Sequence, residues 1–412
     1  MRLFKSLLDR GLAGLLRRGS FRVVWPDGTQ TRYGDGQGYS AAITIGDAAT
    51  VRRLALNPGL AFGEAYMAGG VTALEGTIHD ALAVLMDNLN HQNMPALALN
   101  AGVARLLRRI FQANDAVRAR RNVAHHYDLN GRLYALFLDR DRQYSCAYFQ
   151  HGDETLEEAQ AAKKRHIAAK LKLDRPGLEV LDIGSGWGGT ALTLARDYGA
   201  RVTGITLSEE QLAESRARAQ DAGLADRVKF ELMDYRAMDR PFDRIVSVGM
   251  FEHVGLPNYP AYFATLKRCL KPDGVALLHS IGRFSGPDAT NPWITKYIFP
   301  GGYSPALSEV LAPLERSGLL IADVEILRLH YAKTISHWRR RFAANWDAIA
   351  ALYDERFCRM FEFYLSASEL AFRVSDHMNF QLQIVRDRHA LPLTRDYMTE
   401  EGVQGRFATA SR

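Results

Sequence analysis

Apolar and polar positions follow two different periods along this chain. From about residue 175 onward, short apolar runs near 178–183, 201–207, 228–232, 243–249 and 273–281 read as buried parallel strands. The segments between them carry apolar residues at helical spacing, and right-handed crossovers then give an open parallel sheet. Strand candidates resume at 319–328 and 379–386, with helices at about 334–350 and 355–374. Ahead of the first run, Thr155 to Leu173 reads as a helix, with Glu157 and Glu158 early and Lys170 and Lys172 late, as the helix dipole favours. Regularity breaks at 283–304, where Phe284, Trp293, Tyr297, Phe299 and Tyr303 stand amid Gly and Pro like an insertion over the strand ends.

The first 150 residues are patterned differently. Leu3, Phe4, Leu7, Leu8, Leu12, Leu15 and Leu16 fall at helical spacing beside Arg2, Lys5, Arg17 and Arg18. Such a basic amphipathic helix lies at a lipid interface or packs on its own domain with a solvated basic side. Phe21 to Trp25, the turn Pro26-Asp27-Gly28 and the stretch around Ala42–Ile45 read as short strands, followed by helices from about Val51 to Leu89. This is a small α+β domain over residues 1–100. A polar break at 88–95 leads to a helical, arginine-rich linker at 101–121, carrying Arg105, Arg108, Arg109, Arg118, Arg120 and Arg121. The sheet then occupies a third segment, 122–395, and a frayed tail runs from 396 to 412.

The first strand runs into Asp182-Ile-Gly-Ser-Gly-Trp-Gly-Gly189, and helical spacing begins just after it. A strand, a glycine turn and a helix are where an α/β fold holds a nucleotide-like ligand. Gly184 and Gly186 let backbone approach that ligand closely. Asp182 either accepts hydrogen bonds from turn amides or faces a cationic group on the ligand. The dinucleotide fingerprint requires an acid at the tip of the second strand. Here that strand ends Val202-Thr-Gly-Ile-Thr-Leu-Ser208, so the turn points to S-adenosylmethionine rather than NAD.

Composition adds limits. The chain has 412 residues, 47% hydrophobic and 24% charged, which is ordinary for a globular protein and long for one domain. Its net charge of +6 is concentrated in the first 20 residues and between Arg105 and Arg121, a bias that suits an acidic partner. Cys146, Cys269 and Cys358 show neither zinc spacing nor a disulfide framework, so no metal is expected and a reducing cytoplasm fits. No apolar run approaches the roughly 18–20 residues that span a bilayer.

Several further motifs occur in one order: Tyr144-Ser-Cys-Ala-Tyr148, the glycine turn, Gly249-Met-Phe-Glu-His-Val-Gly255, Leu277-Leu-His-Ser-Ile-Gly282, Asn291-Pro-Trp293 and Arg356-Phe-Cys-Arg-Met-Phe361. Together they resemble the cyclopropane-fatty-acyl-phospholipid synthase family, closely over residues 120 to 388 and only in outline before. The resemblance implies a Rossmann-like class I methyltransferase sheet with helices on both faces. It also implies transfer of a methylene from S-adenosylmethionine to a cis double bond of a phospholipid acyl chain. An alkene is a weak nucleophile, so the sulfonium methyl must be held in line and dry. The aromatic insertion either steadies the carbocation-like centre or serves as lid packing.

The resemblance further implies a bound bicarbonate that removes the surplus proton, held by Cys146, Glu252, His279, Tyr331 and the backbone of Ile281. Of these, Glu252 can accept the bicarbonate O–H while His279 and Tyr331 donate. By residue type alone, Cys146 would be a buried small hydrophobe, and Glu252 or His279 a polar residue at a strand end. For the cofactor, the resemblance assigns Tyr144, Ser145, Asp182, Gly184, Ser185, Gly186, Trp187, Gly188, Thr206, Ser208 and Gln211, with Asp234 and Tyr235 beside the adenine. Ser185 and Ser368 stand where family members commonly have Cys, and Asn130-Gly131-Arg132 departs from the usual Gly-Asn-Asp order.

The expected partner is a phospholipid bilayer reached from the cytoplasm through the basic segments at 1–20 and 104–121, with a homodimer by analogy. An amine methyltransferase would not need the anion-binding set, and methylation of an acyl chain without ring closure stays as the nearer alternative. A nucleic-acid base methyltransferase would carry an Asn-Pro-Pro-Tyr-like motif where this chain has Gly249-Met-Phe-Glu-His253, so no nucleic-acid partner is expected. A catalytically dead lipid-binding protein would have no use for the intact cofactor turn.

Overall fold

The computed structural model describes residues 2–90 and 131–399. The basic linker, the His125-His126-Tyr127 stretch and Asn130 therefore lie outside the described residues. Two compact units emerge, each built from separate stretches of chain rather than from the contiguous domains the sequence suggests. The smaller takes 2–90, 289–300 and 332–377, and the larger takes 131–288, 301–331 and 378–399.

In the smaller unit the chain forms α1 (Arg2–Leu15), β1 (Ser20–Val24), β2 (Gln30–Tyr33), β3 (Ser40–Ile45), α2 (Ala48–Leu56), α3 (Pro58–Met67), β4 (Val71–Glu75) and α4 (Ile78–Asn90). The sheet order is β2-β1-β3-β4, with β1 antiparallel to β2 and parallel to β3. Strand β4 interrupts the stretch from Val51 to Leu89 that reads as helical. Gly69, at φ 73°, and Gly70 end α3, and Val71 and Thr72 then pair antiparallel with Ile45 and Thr44. Pairing with a neighbouring strand overrides local spacing there.

The rest of this unit comes from later in the chain: α10 (Pro292–Tyr297), α12 (His330–Ala344) from Ala332 onward, α13 (Trp346–Leu352) and α14 (Glu355–Arg373). The one helix expected at 334–350 is two, separated at Asn345, whose side-chain amide donates to the Arg341 carbonyl at 3.0 Å. Helix α10 lies within the aromatic insertion. Asn291 caps it by accepting the Trp293 N–H at 2.9 Å, and Pro292 occupies its first turn. The Trp293 ring is buried 4.7 Å from that of Phe363, and Phe299 meets Tyr364 edge-on at 5.7 Å. These two aromatics serve packing within their own unit.

The larger unit contains α5 (Gly131–Phe137), α6 (Leu156–Lys170), β5 (Glu179–Ile183), α7 (Gly189–Tyr198), β6 (Arg201–Thr206), α8 (Glu209–Asp221), β7 (Val228–Leu232), β8 (Phe242–Val248), α9 (Tyr259–Cys269), β9 (Leu270–Arg283), α11 (Leu307–Ser317), β10 (Leu320–Leu327) and β11 (His377–Val385). Every strand read from the sequence is present. The order is β10-β11-β9-β8-β5-β6-β7, parallel from β9 through β7, with β10 antiparallel to β11.

Side chains of successive strand residues point to opposite faces, and the two cores follow from that. Val180, Val246 and Leu277 join Ile167 of α6 and Leu194 of α7 on one side. Leu181, Ile245 and Leu278 join Phe263 of α9 and Leu314 of α11 on the other. Helices cover both faces, as expected. The chain leaves β5 to build β6 and β7 on one side, then returns to place β8 on the other. This reversal opens a crevice at the carboxyl end of β5.

A Cβ added at Gly63 in α3 would fall 2.5 Å from the Trp293 indole nitrogen. Gly63→Ala is expected to destabilise the protein by about 1–3 kcal/mol through overpacking. Chemical denaturation read by tryptophan fluorescence checks this; an unchanged midpoint would mean α10 does not seat there.

Candidate active site

The crevice is built on the turn after β5. Gly184 has φ 81°, and a Cβ there would meet the Met250 side chain at 2.9 Å. Gly188, at φ 82°, begins α7, where a Cβ would strike Phe230 and Ser215. The turn is tied to the next strand by the Gly184 and Ser185 amides, which donate to the Ile205 carbonyl at 2.9 and 3.0 Å. Both glycines are thus required by backbone angle and by space.

Around this turn lies a cavity. Its wall includes Tyr144 and Ser145, Asp182, Gly184 to Trp187, Thr206 and Gln211, and Asp234 and Tyr235. The Thr206 hydroxyl donates to Gln211 Oε1 at 2.9 Å. Asp234 is held by Arg236, whose Nε donates to Oδ1 at 2.8 Å. Gly188 and Ser208 stand behind this wall; Ser208 caps α8 by accepting the Gln211 N–H at 3.3 Å. Trp187 and Tyr144 both pack on Tyr134 of α5, at 5.8 and 5.3 Å between ring centres.

Asp182 is buried, and its Oδ2 has no hydrogen-bond partner. Desolvation pushes this carboxyl up to about 7, against a smaller opposing pull from the Lys163 charge. Of the two roles open to it, facing a cationic group is the one that an unpaired oxygen in the cavity wall fits.

Three residues of α6 hold the loop that carries Tyr144 to Phe149. Gln160 Nε2 donates to the Ser145 carbonyl at 2.9 Å. Lys163 Nζ donates to Gln143 Oε1 at 2.6 Å and to Ser145 Oγ at 2.8 Å. Tyr148 is stacked between His166, at 4.2 Å, and His330, at 4.9 Å, and the Phe149 amide donates to His330 Nδ1 at 3.0 Å. Sequence reading passed over Gln143, Gln160 and Lys163. Gln160 and Lys163 stand three apart on one helix face, but Lys164 and Lys170 of the same helix give an identical signal and are buried too, each against a carboxylate, so only packing shows which partners each lysine meets.

The other predicted set is arranged as follows. Glu252 lies just past β8, buried, with Oε1 accepting the Ile281 amide at 2.6 Å and Oε2 unpartnered. Burial pushes it up to about 7, opposed by that backbone hydrogen bond and, less, by its own backbone amide and the Ser280 hydroxyl. His279 pairs with Val248 across β9 and β8, and its ring lies between two β11 amides, Asn379 at 2.6 Å and Gln381 at 3.0 Å. A neutral imidazole has one N–H, so one amide presents oxygen and the other nitrogen. Burial holds this ring down at about 3, hence neutral. Cys146 is fully buried and follows Ser145 in the clamped loop, while Tyr331 follows His330. Cys146, Glu252, His279 and Tyr331 are not in the cavity wall, but Ser145 and His253, chain neighbours of Cys146 and Glu252, are. Burial holds His253 down at about 4.

Among the described residues no group of acidic, histidine or cysteine side chains could hold a metal, and no helix is long and apolar enough to cross a membrane. None of the three cysteines forms a disulfide.

The model of the mycolic acid cyclopropane synthetase family matches residues 114–382, and one for a domain of unknown function matches 13–93. The chain is 44% identical over 280 residues to the cyclopropane-fatty-acyl-phospholipid synthase of Escherichia coli K12, covering 68% of this chain and 71% of that one. It is 36% identical over 391 residues to the tuberculostearic acid methyltransferase UfaA1 of Mycobacterium tuberculosis, covering 90% of each. Among solved structures, the mycolic acid cyclopropane synthase CmaA1 complexed with SAH and CTAB is similar at a TM-score of 0.61 and 34% identity, covering 64% of this chain and 97% of that one.

Because folding lifts the Asp182 carboxyl above its unfolded value, its contribution to stability worsens as pH rises from about 4 towards 7. Asp182→Asn should therefore gain on the parent protein by about 1–3 kcal/mol between pH 5 and pH 7.5. Urea titrations of both proteins at the two pH values measure this; a pH-independent difference would mean the carboxyl is not desolvated.

Proposed function

The chain belongs to the mycolic acid cyclopropane synthetase family, and on that premise we propose that it transfers a methylene from S-adenosylmethionine to the cis double bond of phospholipid acyl chains, forming cyclopropane fatty acids. The observation that carries this reading is the continuity between two sites. One wall of the cavity, Ser145 and His253, passes within a single residue each to Cys146 and to Glu252, a buried carboxyl with a spare oxygen.

The residues present fit S-adenosylmethionine. The glycine turn leaves backbone bare towards the cavity, the Asp182 oxygen suits an ammonium group, and Thr206 with Gln211 offers polar groups to a ribose. When bound, this cofactor supplies an electrophilic methyl on a sulfonium sulfur. Its transfer forms one C–C bond, breaks the C–S bond and leaves positive charge on the acyl chain; ring closure then releases one proton. The protein's part is to exclude water and to hold the group that accepts that proton. Burial on this side of the sheet serves the first task. Glu252, titrating near neutrality, serves the second by accepting the O–H of the anion that takes the proton, a role open to its ionised form near the operating pH.

Bicarbonate belongs to the same proposal, as a proton acceptor held by Glu252 through Oε2, with Cys146 and Tyr331. The Ile281 amide, both His279 ring nitrogens and the Cys146 thiol, which donates to the Ala147 carbonyl at 3.4 Å, already have partners, so their share in an anion site requires those hydrogen bonds to yield.

Access to lipid is proposed through α1, at the cytoplasmic face of the membrane. None of its residues is buried; Leu3 is 76% and Leu7 51% exposed, one turn apart, with Arg2 and Arg10 also exposed. A second reading, methylation without ring closure, draws on the relative that matches over 90% of each chain, whose name is that of a methyltransferase.

With labelled S-adenosylmethionine and vesicles of unsaturated phospholipid, the lipid should gain one CH₂, lose its double bond and show cyclopropane proton resonances; a methyl branch instead would select the second reading. Turnover should rise with pH through about 7 as Glu252 ionises. Glu252→Gln should lose at least about a hundredfold in kcat while binding S-adenosylhomocysteine nearly as before; equal loss of both would exclude Glu252 from the deprotonation step. Leu3→Glu with Leu7→Glu should weaken sedimentation with anionic vesicles and leave S-adenosylhomocysteine affinity unchanged, and unaltered sedimentation would exclude α1 as the contact.

A further inference from the structure

Lys163 is fully buried, yet its ammonium is donated only to neutral groups, the Gln143 amide oxygen and the Ser145 hydroxyl. Among the described residues no carboxylate comes within ion-pair distance of it. Asp139 accepts the Gln143 and Asp141 backbone amides, and Asp141 is paired with Lys164 and Arg218. A buried ammonium without a counter-charge is costly and is retained where something uses it. Desolvation lowers Lys163 to about 8, so its charge persists at neutral pH but by a small margin.

Both acceptors of this ammonium line the cavity. A serine hydroxyl has one proton, and with Lys163 donating to its oxygen that proton is left for another acceptor. Gln143 is fixed between Lys163 and Asp141, to which its amide nitrogen donates at 3.3 Å. The same cavity exposes the opposite demand at Asp182, an acceptor in need of a cation. One wall therefore asks for a positive group and a neighbouring one for a negative group, as a zwitterionic amino acid would supply.

We propose that Lys163 is the positioning residue of a carboxylate subsite: through its charge and its hydrogen bond it directs the Ser145 hydroxyl to the α-carboxylate of the methionine portion of the cofactor. This rests on the S-adenosylmethionine reading above. Lys163 acts through Ser145 and touches no reacting atom. Its own proton is influenced by Asp139, Asp141, Lys164 and Cys146, and its charge in turn acts on Asp182 and His279.

Calorimetric titration with two ligands tests this: S-adenosylhomocysteine, and S-adenosyl-3-thiopropylamine, the same molecule without its carboxylate. Lys163→Met should weaken the first about 10- to 100-fold and the second less than about threefold, in line with the loss of a charge-assisted hydrogen bond. Equal weakening of both would reduce Lys163 to a structural role and overturn the proposal, as would no weakening of either. In the wild-type protein the ratio of the two affinities should fall as pH rises from 6.5 to 8.5, a window in which both ligand amines stay largely protonated and Asp182 and Glu252 act on both ligands alike. A flat ratio overturns the proposal even if the variant does not fold. Failure of the wild-type protein to bind S-adenosylhomocysteine at all would instead remove the cofactor reading, and this one with it.

Discussion

Burial of carboxyl groups without full compensation is the constraint on which the larger unit turns. Asp182 is the last but one residue of β5, and Glu252 lies just past β8, the strand paired with it. Each keeps one oxygen without a partner, and desolvation raises both to about neutrality. A folded protein tolerates such groups where the same dryness serves chemistry. Methyl transfer to an alkene is such a case, since water would compete for both the methyl and the cation that follows.

The sheet supplies the position and α6 supplies the precision. Reversal of strand order beside β5 opens the crevice, but the loop from Tyr144 to Phe149 has little regular structure of its own. It is held from α6 by Gln160, Lys163 and His166, and at its far end by His330. Ser145 and Cys146 thus inherit their placement from a helix none of whose residues lines the cavity at the glycine turn. Functional groups on loops gain accuracy this way, through a second set of residues whose conformations are locked by packing. Charge takes part as well: Lys163 lies behind Gln143 and Ser145, in the same cavity whose unpaired carboxyl is Asp182.

The smaller unit follows a different logic. It collects segments from three parts of the chain, and its core admits Trp293 only because Gly63 has no side chain. Its first helix leaves leucines in solvent, which costs little for scattered side chains and is useful at a lipid surface.

Much of this was legible in the linear pattern. Apolar runs bounded by glycine and separated by helical spacing determined seven strands of one α/β sheet, and the acidic residue before a glycine turn marked the strand end at which the cavity opens. These are local signals, set by side-chain period and by the backbone freedom of glycine, so they survive without a three-dimensional context. Tertiary structure decided the rest. Strand β4 exists because β3 is there to pair with it, and Trp293 is a core residue because distant segments converge on it. Lys163 differs from the equally helical Lys164 in what its side chain meets, neutral groups rather than a carboxylate. The partners of His279 come from β11, a hundred residues away in sequence. Burial and long-range hydrogen bonding depend on which segments meet, and one-dimensional spacing carries no record of that.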